Sequence, residues 1–274
     1  MGELVYRYLH SHGLKFLSNL KLKVSIPTEL DDPFELRPRV GDTQITSQHV
    51  HEFLASDARM DELYKSIRPK LPLQKWKENG RKNNGQFEQE FRAAVTAETF
   101  EKYCQQSLAA ISNDYGLICF SKTFDDILMW SHYGDKHRGI VIGFCRNHLE
   151  TNLAARALDV TCRKERVPYN IEQFIRPEGD YVRELLTTKS ESWQYQQEVR
   201  YVIPLRGLKA NCRRQIFIEL PAASIRRVLI GCSCPAPTIK AVHRLLKRKG
   251  ISVPVEVGAP HSSEFKLLFS SAAT

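Results

Sequence analysis

Residues Tyr115–Phe144 read YGLICF SKTFDDILMW SHYGDKHRGI VIGF, and their pattern decides the fold class. Tyr115–Ser121 is apolar and β-prone. Asp126–Tyr133 then has helical spacing, with Met129, Trp130 and Tyr133 on neighbouring turns, and Gly139–Phe144 is again strand-like. Working outward, Val5–Tyr8 reads as a strand and Leu14–Leu20 as a short helix. Leu22–Ile26 alternates as a strand that Pro27 closes. From Gln48 to Ala110 the spacing turns helical, interrupted by Pro69, Pro72 and the polar stretch Glu78–Gly85. Strands are expected again at Glu198–Ile203, Gln215–Leu220, Arg227–Ile230 and Val253–Val257, with a basic helix between Pro237 and Lys249. Strands that bracket helices without regular alternation argue an α+β fold over a doubly wound sheet. The expectation is a single α+β domain over residues 1–274, carrying an inserted helical lobe at 48–110.

The chain has 274 residues, of which 42% are hydrophobic and 26% charged, an ordinary globular composition. No stretch approaches the roughly 18 uninterrupted apolar residues of a membrane span. The first residues lack the basic, apolar and small-residue sequence of a signal peptide, so a cytoplasmic location is expected. Seven scattered cysteines then read as reduced thiols. Cys232-Ser233-Cys234 lacks further ligands at zinc spacing and reads as a turn, and no metal is expected. The net charge of +9 is concentrated between Arg206 and Lys249, where Glu219 is the lone acid. Such a face attracts polyanions, although a solvated surface explains it as well and no aromatic interleaving is evident in the sequence. There is no Gly-rich phosphate loop of dinucleotide-fold or Walker type.

Four polar blocks stand at strand edges, where a rigid scaffold can hold them against a ligand. In Tyr6-Arg7-Tyr8, alternation puts the guanidinium on the face opposite the aromatics, suited to a phosphate or to a surface carboxylate. Asp31-Asp32-Pro33-Phe34-Glu35 is a turn, and its three acids also suggest a metal-dependent nuclease if further ligands converge on them. Ser121 and Thr123 are spaced to share a face at a strand end, ahead of Met129, Trp130 and Tyr133, which read either as core or as a stacking surface, and of His132, an acid or base only if a nucleophile stands near it. In Trp193–Ile203, residues Gln196, Glu198 and Arg200 share a face if extended backbone begins early. Glu198 then serves either an ion pair with Arg200 or the stabilisation of a cationic sugar, the electrostatic task for which glycosidases use carboxylates.

Together these blocks resemble a widespread bacterial family, the domain of unknown function 2971. Its aromatic-basic-aromatic strand, Leu-Asn-Asp-Pro-Phe-Glu turn, Cys-Phe-Ser, Met-Trp-x-His-Tyr and Trp-x-Tyr-x-x-Glu-x-Arg span residues 4 to 231 here, with Asp31 in place of the usual Asn. More distantly the order Arg7, Ser121-x-Thr123 and Gln196-x-Glu198 resembles the arginine-type ADP-ribosyltransferase fold, a split mixed β-sheet. That resemblance implies NAD as substrate and cleavage of the nicotinamide–ribose bond, with ADP-ribose passed to a macromolecular acceptor. It also suits a toxin or phage-defence effector. Glu198, Ser121 and Gln196 are the implied catalytic set, with Ser121 positioning Glu198 and Gln196 on the acceptor side. Arg7, Tyr6, Thr123, Trp130 and Tyr133 are the implied NAD contacts. The acceptor is open between nucleic acid and protein. A non-catalytic nucleic-acid-binding or interaction module is the alternative, and the metal-dependent nuclease a second.

Overall fold

A computed structural model describes residues 3–10, 13–41, 44–67, 69–175 and 179–271. The chain opens with β1 (Leu4–Leu9), α1 (Gly13–Asn19) and β2 (Lys21–Val24), followed by a two-residue strand β3 (Arg39–Val40). Five helices come next: α2 (Ser47–Ala55), α3 (Asp57–Ile67), α4 (Leu73–Lys82), α5 (Asn84–Ala94) and α6 (Ala97–Asp114). The middle of the chain forms β4 (Tyr115–Ser121), α7 (Ile127–His132), β5 (Ile140–Cys145) and α8 (Arg146–Leu153). Short pieces then follow: β6 (Ala157–Asp159), β7 (Thr161–Arg163), β8 (Pro168–Tyr169), α9 (Ile171–Ile175), α10 (Gly179–Leu186) and β9 (Thr188–Ser190). Last come β10 (Glu198–Pro204), β11 (Ile216–Glu219), β12 (Ile225–Ile230), α11 (Ala236–Arg248), β13 (Val255–Pro260) and β14 (Leu267–Ser271). The mixture of strands and helices expected from the sequence is therefore present. No described helix is long and apolar enough to cross a membrane.

Where the sequence reads as one domain with an inserted lobe, the residues cluster into two compact units. One gathers Met1–Glu35, Ser112–Lys164 and Lys189–Thr274, and the other Leu36–Ile111 and Glu165–Thr188. The helical unit thus extends beyond 48–110 to a second segment, whose sequence is too short and irregular in its periodicity to signal it. Its core is aromatic, with Phe53 against Phe91 at 4.6 Å and Trp76 against Phe87 at 5.4 Å.

The first unit is built on a mixed sheet of order β14-β13-β12-β5-β1-β4-β10-β6. Its neighbours pair antiparallel except β12 and β13, which run parallel because α11 carries the chain back between them. β5 is buried along its whole length, as a central strand must be. Ile140, Ile142 and Phe144 face the core beneath α1, α8 and α11, whereas Val141 faces the other side, with Tyr6, Tyr8, Met129 and Trp130. Gly143 lies opposite Tyr6, and a Cβ there would approach the tyrosine ring to 3.0 Å, so the bare backbone makes room for the aromatic.

Trp130 settles in this second core cluster. It is fully buried, and its Nε1 donates to the Phe124 carbonyl at 2.7 Å. The reading of Trp130 as a stacking surface for a ligand is thereby corrected, because α7 turns that face of the helix onto the sheet. Trp130→Ala should lower the unfolding free energy by about 3–5 kcal/mol, and Trp130→Phe by less. Urea unfolding checks this, and an unchanged midpoint for Trp130→Ala would remove the indole from the core.

Candidate functional site

The site arises where the sheet comes apart. β1 and β4 are paired at one position only, Tyr6 opposite Ser121. Further along β4, Leu117 is bridged instead to Ser25, just past the end of β2, through hydrogen bonds of 2.9 and 2.8 Å. Cys119 lies between these two pairings, and its carbonyl accepts from the Arg7 guanidinium in place of a strand N–H. A buried carbonyl without a ladder partner is costly, so Arg7 closes the gap chemically while the strands stay apart. The opening is a cleft of about 300 Å³, walled by β1, the turn Glu29–Asp32, β4, Tyr133 and the segment Lys189–Glu198.

A largely buried ion cluster lies beneath the cleft, which two of its members, Glu198 and Lys189, line. Arg200 donates from Nη1 and Nη2 to the two oxygens of Glu35 at 2.5 and 3.0 Å. Its Nε and Nη2 donate to Glu198 at 2.8 and 3.2 Å. Glu198 also accepts from Lys189 Nζ at 3.0 Å, and the same ammonium donates to Gln196 Oε1 at 2.8 Å. Gln196 Nε2 in turn donates to the Tyr133 hydroxyl at 2.9 Å. The side chains of Arg200, Glu35 and Glu198 are 0%, 2% and 8% exposed, so each charge depends on its partners.

Burial alone would raise the Glu198 pKa. The charges of Arg200 and Lys189 and the donation from Arg200 and the Cys119 thiol outweigh it and hold the carboxyl at about 2. Arg200 is pushed the other way. Burial works against its charge, but Glu198 and Glu35 raise its pKa well above the ordinary guanidinium value. Burial, reinforced by the charge of Glu198, lifts Cys119 to about 12, so it is a protonated donor and no nucleophile. Tyr133 is raised above the usual phenol range by burial, with Tyr195, Asp31 and Glu198 adding and Gln196 opposing.

Local geometry explains which expected residues meet. Glu198 and Arg200 share a face as strand alternation requires, but Gln196 ends a 3₁₀ turn, Glu191–Gln196. Gln197 then adopts a left-handed conformation (φ 41°, ψ 52°). That reset, rather than early extended backbone, brings Gln196 and Glu198 onto the same lysine. Ser121 is opposite Glu198 in register, yet its hydroxyl donates to the Gln196 carbonyl at 2.7 Å and does not touch the carboxylate. Its contact is with the turn that precedes Glu198. The chain leaves β4 at Ser121, whose Oγ accepts from Thr123 N at 3.1 Å, and Thr123 Oγ1 turns to Asp125 at 2.5 Å. The shared face expected for Ser121 and Thr123 is therefore lost, and Thr123 lies outside the cleft wall. Tyr6 borders the cleft but is 7% exposed, its ring 5.1 Å from Phe124. Tyr133 and Arg7 do line the cleft.

The nuclease reading loses its ligands. Glu35 is held bidentate by Arg200, and Asp32 Oδ1 accepts from Phe34 N at 2.9 Å to form the Asp-Pro turn. Among the described residues no group of three or more acids, histidines or cysteines could hold a metal ion. The described cysteines are free, and the Cys104 side chain lies outside the described residues. Sequence reasoning missed Lys189, which stands in no motif. It also missed the pairing of Glu35 with Arg200, although two acids and an arginine without obvious partners were a signal.

Residues 129–201 match the model of a family described as Protein of unknown function (DUF2971), a stretch that runs from α7 into β10 and takes in Tyr133, Lys189, Gln196, Glu198 and Arg200. No curated protein and no solved structure matches the chain.

Removing the guanidinium in Arg200→Met would strand two buried carboxylates and should cost about 3–5 kcal/mol. Arg200→Lys should not restore it, since an ammonium cannot bridge both acids in this geometry; chemical denaturation of the two variants decides. The pH dependence has a definite sign. The folded-state pKa of Glu198 is depressed from 4.5 to about 2, so its contribution is fully present above about pH 4.5 and lost as pH falls through 2. The stability difference between wild type and Glu198→Gln should shrink by about 3 kcal/mol across that window. A constant difference would mean that Glu198 is not held ionised.

Proposed function

We propose that the cleft binds NAD, that the bond between nicotinamide and ribose breaks there, and that ADP-ribose passes to a macromolecular acceptor or to water. The observation that carries this reading is Glu198, a carboxylate kept ionised at the floor of an open cleft where two strands part. Breaking the C1′–N bond sends its electron pair to the pyridinium nitrogen and leaves positive charge on the sugar. A fixed anion beside that charge stabilises the transition state more than the ground state. The acceptor's nucleophile then bonds to C1′ and releases its proton. The order Arg7, Ser121-x-Thr123 and Gln196-x-Glu198 in the sequence resembles that of the arginine-type ADP-ribosyltransferases, and that resemblance implies a dinucleotide held without a Gly-rich loop.

Other walls suit the same ligand. Arg7 brings a guanidinium to the side of β1, where phosphates would lie, and Tyr133 and Trp193 offer aromatic surface for nicotinamide. Arg200 and Lys189 already occupy Glu198, so a ribose hydroxyl must displace one donor. Lys189 is the exchangeable one. Its stem is flexible, and Gln196 Oε1 and the Trp193 ring, 5.1 Å from Nζ, can keep the ammonium when it leaves the carboxylate. Gln196 and Tyr133 then orient the acceptor side. The density of partners on Glu198 favours a second reading, a non-catalytic module in which the ion cluster only braces the fold.

Nicotinamide release from NAD, followed with and without added protein, DNA or RNA, separates the two. Wild type should release nicotinamide and Glu198→Gln should be slower by about 10²–10³-fold while remaining folded. Equal rates for both would sink the mechanism, and no release by wild type under any condition would favour the module.

A further inference from the structure

A second concavity lies in the same unit, outside the cleft. It measures about 400 Å³ and is lined by Lys15, Lys21, Lys209, Asn19, Asn211, Gln215 and Phe217, with no acid in the wall. The three lysines come from three separate places: α1, β2 and the loop before β11. Lys15 Nζ stands 6.0 Å over the Phe217 ring. Lys15 and Lys209 are exposed and form no ion pair among the described residues, while Lys21 has only a loose contact with Glu219 at 3.7 Å, exposed on both sides. The loop is held open by its own hydrogen bonds. Asn211 Oδ1 accepts from Arg213 N and Gln215 N, both at 2.9 Å, and the exposed Arg213 and Arg214 stand at its tip. Phe217 is the lone aromatic of the basic segment, and folding surrounds it with cations, because β11 pairs with β2 and lies beside Lys15 and Lys21 from earlier in the chain.

We infer that this groove binds single-stranded nucleic acid. Two lysines without an ion pair and a third held only loosely suit successive phosphates, the Phe217 face suits a stacked base, and the amide nitrogens of Asn19 and Gln215 can donate to base edges. A duplex hides its base faces, and an acidic peptide brings a planar ring to Phe217 only where it carries an aromatic residue, whereas every nucleotide of a single strand has one. The groove also has a connection to the cleft. Lys21 lines the first and Ser25 the second, four residues apart on extended chain, or about 13 Å. A strand held in the groove would therefore present a nucleotide near the cleft as acceptor. That last step rests on the proposed NAD chemistry, whereas the binding does not.

Fluorescence anisotropy of labelled oligothymidylate and oligouridylate, each about 12 nucleotides long, tests the inference on the full chain. Binding should weaken with salt along a log–log slope of about −1.4 to −2.1, as expected for two or three neutralised phosphates. Lys15→Ala with Lys209→Ala should reduce the steepness by about 1.4. Phe217→Leu, which keeps the side chain apolar, should lose about tenfold in affinity at unchanged slope. Glu198→Gln should bind like wild type, so that failure of the NAD chemistry and failure of the groove are read separately. The inference is overturned if the lysine and Phe217 variants bind as wild type does, or if a duplex, inorganic polyphosphate or anionic vesicles bind more tightly than the single strands.

Discussion

A guanidinium buried to zero exposure between two carboxylates is the constraint on which the rest of this unit depends. Arg200 joins Glu35, 165 residues away in the chain, to Glu198 on its own strand. Two cations, Arg200 and Lys189, stand against two anions, so the cluster is neutral as a whole although no member could be buried alone. It ties the Asp-Pro turn to β10 and forces both into one arrangement. The same pairing keeps Glu198 ionised. Fold and candidate chemistry therefore draw on one set of contacts, and the carboxylate's low pKa is a consequence of how the unit is held together.

The cleft exists because β4 is shared. Tyr6 takes one position of its edge, Ser25 takes another, and the Cys119 carbonyl between them goes to Arg7. A continuous β1–β4 ladder would satisfy the same backbone groups and leave no opening. By using a side chain for one carbonyl, the fold keeps its hydrogen bonds and still parts two central strands. Aromatics reinforce the wall from behind, with Tyr8 edge-on to Trp130 at 5.5 Å. Large buried rings on that side explain why residues that look like a stacking platform in sequence serve as support.

β2 has a double position. Its first residue lines the basic groove, its last residue precedes the bridge to β4, and its partner β11 brings Phe217. The basic groove and the cleft are thus reached from the two ends of one short strand.

Apolar periodicity alone located most elements of the sheet, α1, α7, α11 and the helices after Gln48, because alternation and 3.6-residue spacing are local properties. Residue types clustered at strand ends also singled out Glu198, Gln196, Ser121, Arg7 and Tyr133, which the fold brings to one cleft. Their contacts were not. Gln197 reverses the backbone between Gln196 and Glu198, the chain turns out of β4 before Thr123, and Trp130 faces inward, each a matter of dihedral angle or packing rather than composition. Lys189 and the Arg200–Glu35 bridge could be found only in three dimensions, since a charge buried by folding chooses its partner by distance in space. Sequence determined where the long, regularly patterned strands and helices lie and which residue types are capable of chemistry. Tertiary structure decided which of them meet, because pairing, burial and ionisation are set by neighbours that lie far apart along the chain.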